Sequence, residues 1–147
     1  MLTFDEFGNL TPGQPIESDL KEIKSVLAFN EQRLALFRKF SEVIDEISGL
    51  KINLMEVWVD GSFATLKAHP ADVDVVFFLD FQQYNLHQKH LKELKKRLKG
   101  TVDCHFVSVY SEKDKRRSWY ESDRIEFLHL FSTNRAKQKK GFVKILF

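Results

Sequence analysis

Cysteine is almost absent from this chain. Cys104 is the only one in 147 residues, so no disulfide can form within the chain. The start, MLTFDEF, has neither a basic segment nor a long apolar run, so no secretory signal is expected. No apolar run approaches the roughly 18 residues that a membrane-spanning helix needs. These absences predict a protein of the reducing cytoplasm that has no membrane partner.

An excess of charge of one sign is also absent. The chain has 23 basic and 21 acidic residues, which gives a net charge of +2. This balance neither requires nor excludes a nucleic-acid partner. Because 43% of its residues are hydrophobic, a chain of 147 residues can form one domain with a real core but not two. We therefore expect a single domain over residues 1–147.

Glycine and proline are sparse and concentrate at the start of the chain. Two of the six glycines and two of the three prolines lie in residues 1–15, which predicts an irregular N-terminal leader. Apolar residues then recur at spacings of three and four over residues 18–48, which predicts helix with a break near Phe29 and Asn30. The same pattern over residues 82–99 predicts a second amphipathic helix.

Four segments rich in β-branched and aromatic residues are predicted as strands. They cover residues 54–59, 73–79, 102–110 and 142–147. Both faces of segment 73–79 are apolar, so we expect this strand in the middle of the sheet. The structure of residues 111–132 stays open, because IEFLHLF at 125–131 satisfies both the helical and the strand period, and a short helix is favoured. The fold class is α/β (α+β), a small mixed sheet backed by helices.

Two aspartates interrupt the most apolar strand. Asp72 and Asp74 flank Val73 in DVDVVFFL, although strands are poor in aspartate and an unpaired buried carboxylate costs several kcal/mol. Residues two apart in a strand project to the same side, roughly 7 Å apart, so both carboxylates can meet one cation. Asp103 on the next strand can border the same cleft. Three carboxylates holding Mg²⁺ suit two-metal phosphoryl-type transfer.

A glycine and a serine follow the strand at 54–59. Gly61 permits close backbone approach, and the Ser62 hydroxyl, with the N–H groups of a short helix predicted over 63–67, can bind phosphate oxygens. Lys67 is the only nearby cation that can meet a triphosphate. Gly61, Ser62 and Lys67 are therefore the expected nucleotide-binding residues.

These motifs occur in an order that resembles a known signature. An apolar strand, Gly61-Ser62, nine residues and then Asp72-Val73-Asp74 resemble the polymerase-β-type nucleotidyltransferase superfamily, in particular its minimal prokaryotic members. Asp103 matches the place of that family's third metal carboxylate. Many minimal members carry an arginine soon after the glycine-serine pair, whereas this chain reads FATLK over residues 63–67 and has only Lys67 there. The chain ends, MLTFDEFGNLTPG and KKGFVKILF, are similar to those of small bacterial nucleotidyltransferase-like proteins with no assigned activity.

The resemblance implies an activity. Asp72 and Asp74 would hold two Mg²⁺ or Mn²⁺ ions, and Asp103 would help to activate the attacking hydroxyl. A nucleoside monophosphate would pass from a nucleoside triphosphate to an acceptor hydroxyl on a protein side chain, an RNA end or a small molecule. A toxin–antitoxin or defence setting would fit.

Two other classes of function stay open. The first is a catalytically inactive antitoxin or partner-binding module that keeps the same fold. The second, an RNA-binding module that uses KHLKELKKRLK, has the least support, because this helix lacks the interleaved aromatic residues that stack on bases.

The remaining polar residues have simpler interpretations. Asp60 is expected to end its strand, and His105 to lie in the core or at the rim of the site beside Asp103. The other candidates are interpreted as exposed helix or loop charges: His87, His90, Arg116-Arg117 and Lys137–Lys140. Contact of the last two groups with an acceptor or a nucleic acid stays open.

Overall fold

Seven strands and five α-helices make up the computed structural model, which describes residues 1–147. The strands are β1 (Thr3–Phe4), β2 (Leu10–Thr11), β3 (Pro15–Glu17), β4 (Leu54–Asp60), β5 (Val73–Asp80), β6 (Val102–Val109) and β7 (Phe142–Leu146). The helices are α1 (Leu20–Leu27), α2 (Glu31–Gly49), α3 (Phe81–Leu86), α4 (Gln88–Leu98) and α5 (Arg117–Phe131). A 3₁₀ turn at Ser62–Ala64 follows β4.

Five of the strands form one mixed sheet in the order β3-β7-β4-β5-β6. β3 is parallel to β7 and β5 is parallel to β6, whereas β4 is antiparallel to both β5 and β7. β5 lies between β4 and β6, which confirms the central position expected from its two apolar faces. The mixed sheet backed by helices confirms the expected α+β fold of a single domain.

Helices α1 to α4 cover one face of this sheet, which we call the first face. Alternate residues of β5 point to this face because side chains along a strand alternate between its two sides. They pack in one buried cluster with residues from α1, α2 and α4: Val73, Val75, Phe77, Ile23, Leu27, Phe40, Leu91 and Leu94. This is the larger of the two hydrophobic clusters, so it forms the main core.

Helix α5 covers the second face. A smaller buried cluster joins Tyr120 and Phe131 of α5 to the sheet residues Trp58, Val76, Phe78 and Phe142. Arg124 of α5 donates two hydrogen bonds to the carboxylate of Glu56 on β4, at 2.6 and 3.2 Å, and thereby anchors the helix. Along β5 this cluster ends at Val76, and the next residue on the same face is Asp74.

The structure differs from the sequence predictions at several element boundaries. The break expected near Phe29 and Asn30 is confirmed, since α1 ends at Leu27 and α2 begins at Glu31, whereas the helix predicted over residues 82–99 is divided into α3 and α4. The first break arises because the Asn30 side chain accepts a hydrogen bond from the Arg33 N–H at 2.8 Å and starts α2 anew. Segment 125–131 is helical, as favoured, but belongs to the longer α5.

The N-terminal leader is more regular than expected. Residues 1–15 contain an antiparallel hairpin of β1 and β2, and β3 begins at Pro15 and extends the main sheet. The prediction of an irregular leader was therefore wrong in part, because β1 and β2 pair with each other and β3 pairs with β7, a strand distant in sequence. None of the helices combines the length and the apolarity needed to cross a membrane.

Candidate functional site

Three aspartates lie side by side at one end of the sheet. The strand register pairs Asp60 of β4 with Asp74 of β5, and Asp74 with Asp103 of β6. The next row on the same face contains Val76 beside His105. Because paired residues project to the same face, the sheet itself brings these polar side chains together on the second face.

An open cleft of about 990 Å³ lies over this row of aspartates. Its walls are the segment that follows β4 and the segment that follows α5. All six residues expected from the sequence to form the site line it: Gly61, Ser62, Lys67, Asp72, Asp74 and Asp103. Residues that the sequence did not indicate as ligands also line it: Asp60, His105, Arg135 and Lys140.

Asp74 is a strongly perturbed carboxyl group of the cleft. Burial, and then the negative charges of Asp72 and Asp103, raise its pKa to about 6. Arg135 is the one cation that opposes this rise. Asp72 itself precedes β5, so it acts on Asp74 from the loop and not from the neighbouring position of a strand. A cation bound among these groups would relieve their repulsion.

A histidine joins two of the carboxylates. One ligand atom from each of Asp74, Asp103 and His105 lies within 4.8 Å of the others. The Nε2 atom of His105 is 3.5 Å from the Asp103 Oδ2 atom. Burial lowers the pKa of His105, although the charge of Asp103 opposes the shift. Carboxylate oxygens and a neutral imidazole are both metal donors, so the residues present fit a divalent metal.

Gly61 is required by its conformation and by its neighbour. Its φ of +77° and ψ of −167° lie in a region that is almost restricted to glycine. A Cβ atom at this position would overlap Oδ2 of Asp74. The glycine therefore lets the backbone after β4 pass close to the carboxylate. Ser62 begins the 3₁₀ turn, whose N-cap residue is Gly61, and the Ser62 hydroxyl makes no capping hydrogen bond.

A buried arginine, Arg33, stabilises the segment from Ser62 to Lys67. The guanidinium of Arg33 on α2 is fully buried and donates hydrogen bonds only to backbone carbonyls. The acceptors are the carbonyls of Leu27, Ser62, Phe63, Thr65 and Lys67, at distances of 2.6 to 3.1 Å. Burial lowers the Arg33 pKa to about 10, so the group stays charged at neutral pH. Sequence reasoning missed this residue.

A buried ion pair closes the other side of the cleft. Lys140 and Asp60 are both buried, and the Lys140 ammonium donates to Asp60 Oδ1. Burial lowers the pKa of Lys140 to about 8, whereas the adjoining carboxylate favours the charged form. Asp60 ends β4 as expected and also binds this lysine. The expectation that Lys140 is an exposed loop charge was wrong, because its partner lies 80 residues away.

The other residues that the sequence analysis considered lie outside the cleft. His90 contacts Glu46 at 3.0 Å on the first face of the sheet. Arg116 binds Asp114, and Arg117 donates to the carbonyl of Tyr110, beyond the opposite end of β6. Cys104 is buried on the first face. None of these groups contributes to the carboxylate row.

The fold and the cleft define an α+β domain with a carboxylate-rich site at one end of its sheet. The chain belongs to a family described as "Family of unknown function (DUF6932)", whose model matches residues 2–146. No curated protein and no solved structure matches the chain. Because the match extends over nearly the whole domain, both walls of the cleft belong to the part that the family shares.

Proposed function

We propose that this protein is a metal-dependent nucleotidyltransferase that moves a nucleoside monophosphate from a nucleoside triphosphate to an acceptor hydroxyl. The observation that carries the proposal is the convergence of Asp72, Asp74 and Asp103 in one cleft whose rim is formed by Gly61 and Ser62. The resemblance to polymerase-β-type enzymes supports the same conclusion. A volume near 990 Å³ is ample for a nucleotide.

The two sides of the cleft have complementary charges for a metal–polyphosphate complex. The aspartates provide the donors for Mg²⁺ or Mn²⁺, and a bound ion would supply positive charge beside the phosphates. Lys67 and Arg135 line the same cleft and can contact phosphate oxygens. The Ser62 hydroxyl adds a hydrogen-bond donor. These residues would hold the triphosphate with its α-phosphate near Asp103.

The reaction is an in-line displacement at the α-phosphorus. The acceptor oxygen forms a bond to phosphorus as the bond to the bridging oxygen breaks, and pyrophosphate leaves. The hydroxyl proton passes to a base, and we assign this role to the Asp103 carboxylate, which lies on the edge strand β6. The acceptor is a protein side chain, an RNA end or a small molecule, and a toxin–antitoxin setting is part of the proposal. The single buried thiol fits action in the reducing cytoplasm.

The test is transfer of label from α-labelled nucleoside triphosphates to cell lysate, with Mg²⁺ or Mn²⁺. Label in protein, RNA or small molecules identifies the acceptor class. In single-turnover transfer to that acceptor, Asp103→Asn is expected to lower the rate about a thousandfold or more, on the order of 4 kcal/mol, while triphosphate affinity changes only several-fold.

Absence of label transfer with every nucleotide and with either ion would reject the proposed enzymatic activity. It would favour the alternative, a catalytically inactive partner-binding module with this fold. Asp45→Asn is the matched control for Asp103→Asn, because Asp45 is exposed on α2 and does not line the cleft. A variant Asp103→Asn that transfers at the parental rate per folded molecule would remove Asp103 from the chemistry.

A further inference from the structure

The row of carboxylates formed by Asp60, Asp74 and Asp103 ends beside a nitrogen donor, His105. Ligand atoms of Asp74, Asp103 and His105 lie within 4.8 Å of one another. Atoms bound to one divalent ion at about 2.0–2.3 Å are themselves roughly 3–4.5 Å apart. Small side-chain rotations would therefore close these three donors around a single ion. Asp72 lines the cleft but lies outside this group of three.

The ring of His105 is held in place without using its nitrogen. The Nε2 atom lies 3.5 Å from Asp103 Oδ2, beyond the range of an ordinary hydrogen bond. The ring centroid is 5.3 Å from that of Phe127 on α5, and this contact fixes the imidazole over the second face. Because the contact with Asp103 is longer than an ordinary hydrogen bond, the nitrogen is able to bind a ligand.

We propose that His105 is a metal ligand and that, with Asp74 and Asp103, it selects a divalent transition metal, with Mn²⁺ as the probe ion, over Mg²⁺. Mg²⁺ prefers oxygen ligands and gives up its water slowly, whereas imidazole favours first-row transition metals. The inference rests on the metal-dependent function proposed above and specifies its ion. It differs from the sequence expectation, in which the metal ligands were three carboxylates.

The experiment measures the ligand itself. Metal-free protein is titrated with Mn²⁺ and with Mg²⁺, and pulsed electron paramagnetic resonance of the bound Mn²⁺ detects a coordinated nitrogen. In the wild type we expect nitrogen modulation and tighter binding of Mn²⁺ than of Mg²⁺. In His105→Gln the modulation should disappear, and Mn²⁺ affinity should fall about tenfold or more, with a smaller loss for Mg²⁺.

Two further variants make the result specific. His90→Gln is the matched control, since His90 is the exposed histidine that contacts Glu46, and its signal should equal that of the wild type. His105→Glu replaces the nitrogen with a carboxylate oxygen. This variant should lose the nitrogen modulation and bind Mg²⁺ in preference to Mn²⁺ more than the wild type does. Retained metal binding in His105→Glu would show that the site is folded even if His105→Gln is unstable.

The outcomes separate this inference from the proposed function. Wild-type Mn²⁺ without nitrogen modulation, modulation that persists in His105→Gln, or equal affinities for the two ions would each overturn the role of His105. Label transfer at limiting Mn²⁺ that is unchanged in His105→Gln would also overturn it and leave the transferase proposal intact. Nitrogen-coordinated Mn²⁺ without transfer of label to any acceptor would support the ligand and reject the transferase.

Discussion

At the scale of single residues, the charges of the aspartate row are unequally compensated. Asp60 contacts the buried ammonium of Lys140, so its charge is paired within the protein. Asp74, the next residue in the row, has the negative charges of Asp72 and Asp103 as neighbours and only Arg135 to oppose them. The repulsion is therefore concentrated on Asp74. This is the place where a bound cation would have the largest effect.

The first prediction concerns the pH dependence of metal-free stability. The pKa of Asp74 is raised from 3.8 to about 6 in the folded state, so folded protein binds more protons than unfolded protein between these values. The free energy of unfolding should then fall as the pH rises from about 4 to 6. Asp74→Asn should remove this fall and stabilise the metal-free protein at pH 7, by on the order of 1–2 kcal/mol after solvent screening.

Urea unfolding with a metal chelator, measured from pH 4 to 7.5, checks this expectation. Asp45→Asn on the exposed surface of α2 is the control and should follow the wild type. If Asp74→Asn has the same pH profile as the wild type, the repulsion inferred at Asp74 is absent.

The second prediction concerns Ser62. Its carbonyl accepts hydrogen bonds from Arg33 and Thr65, but its hydroxyl does not cap the 3₁₀ turn. Ser62→Ala should therefore preserve the melting temperature and lower triphosphate affinity by about 1.5–3 kcal/mol, the value of one charge-assisted hydrogen bond. Calorimetry with a metal-bound triphosphate measures the affinity.

Thr65→Val provides the contrast to Ser62→Ala. The Thr65 hydroxyl donates to the Ser62 carbonyl at 2.6 Å and accepts from the Lys67 N–H at 3.1 Å. Its loss should lower the melting temperature. A Ser62→Ala variant with unchanged affinity and a lower melting temperature would assign a structural role to the serine.

The candidate site was predictable from sequence where its chemistry depends on local patterns. Alternation along a strand and adjacency of strands predicted that Asp74 and Asp103 border the same cleft. Lys140 could not be found this way, because it lies in an exposed-looking run, KQKK, and meets Asp60 only in the folded chain. For Arg33 there was a signal, since it lies on the buried stripe of α2 with Leu36.

At the scale of elements, the helical and strand periods predicted the type of each main element but not the residues at which it begins and ends. Within α5, residues 125–131 fit both the helical and the strand period. The packing of α5 against Trp58 and Phe78 then selects the helix. The division at His87 has no strong local marker such as proline or glycine. The short strand β3 depends on its pairing with β7.

The third prediction concerns the contact between α2 and the segment after β4. Arg33→Met removes every hydrogen bond from the guanidinium and leaves several buried carbonyls without a donor. We expect a loss of about 3–5 kcal/mol in the free energy of unfolding, because buried polar groups without partners are costly. Urea unfolding measures the loss.

Arg33→Lys and Arg38→Met test the specificity of that result. The lysine keeps the positive charge but cannot reach so many carbonyls, so it should be nearly as unstable as Arg33→Met. Arg38 is exposed on the same helix, and its substitution should change stability little. Full stability of Arg33→Lys would show that charge, and not the fork of donors, holds the segment.

At the scale of the whole molecule, the N-terminal hairpin joins the two walls of the cleft. The Leu66 N–H donates to the Gly8 carbonyl at 3.0 Å, and the Gly141 N–H donates to the Leu10 carbonyl at 2.8 Å. Asn9 also bridges to Thr65. One short hairpin thus fixes the segment after β4 and the segment that leads into β7. This connection explains why residues near the start of the chain belong to the same unit as the site.

The last prediction tests whether this hairpin supports the site as well as the core. Leu10 is fully buried, and Leu10→Ala should cost about 2–5 kcal/mol of stability through the lost side chain and the cavity. At a temperature where the variant is still folded, metal and triphosphate affinities should also fall, because both walls of the cleft lose a common support. Phe7→Ala is the control, since Phe7 is 64% exposed on the same hairpin and should alter neither property. Lower stability with unchanged affinities in Leu10→Ala would mean that the hairpin contributes to the core alone and that the walls of the cleft are held by Arg33 and Lys140.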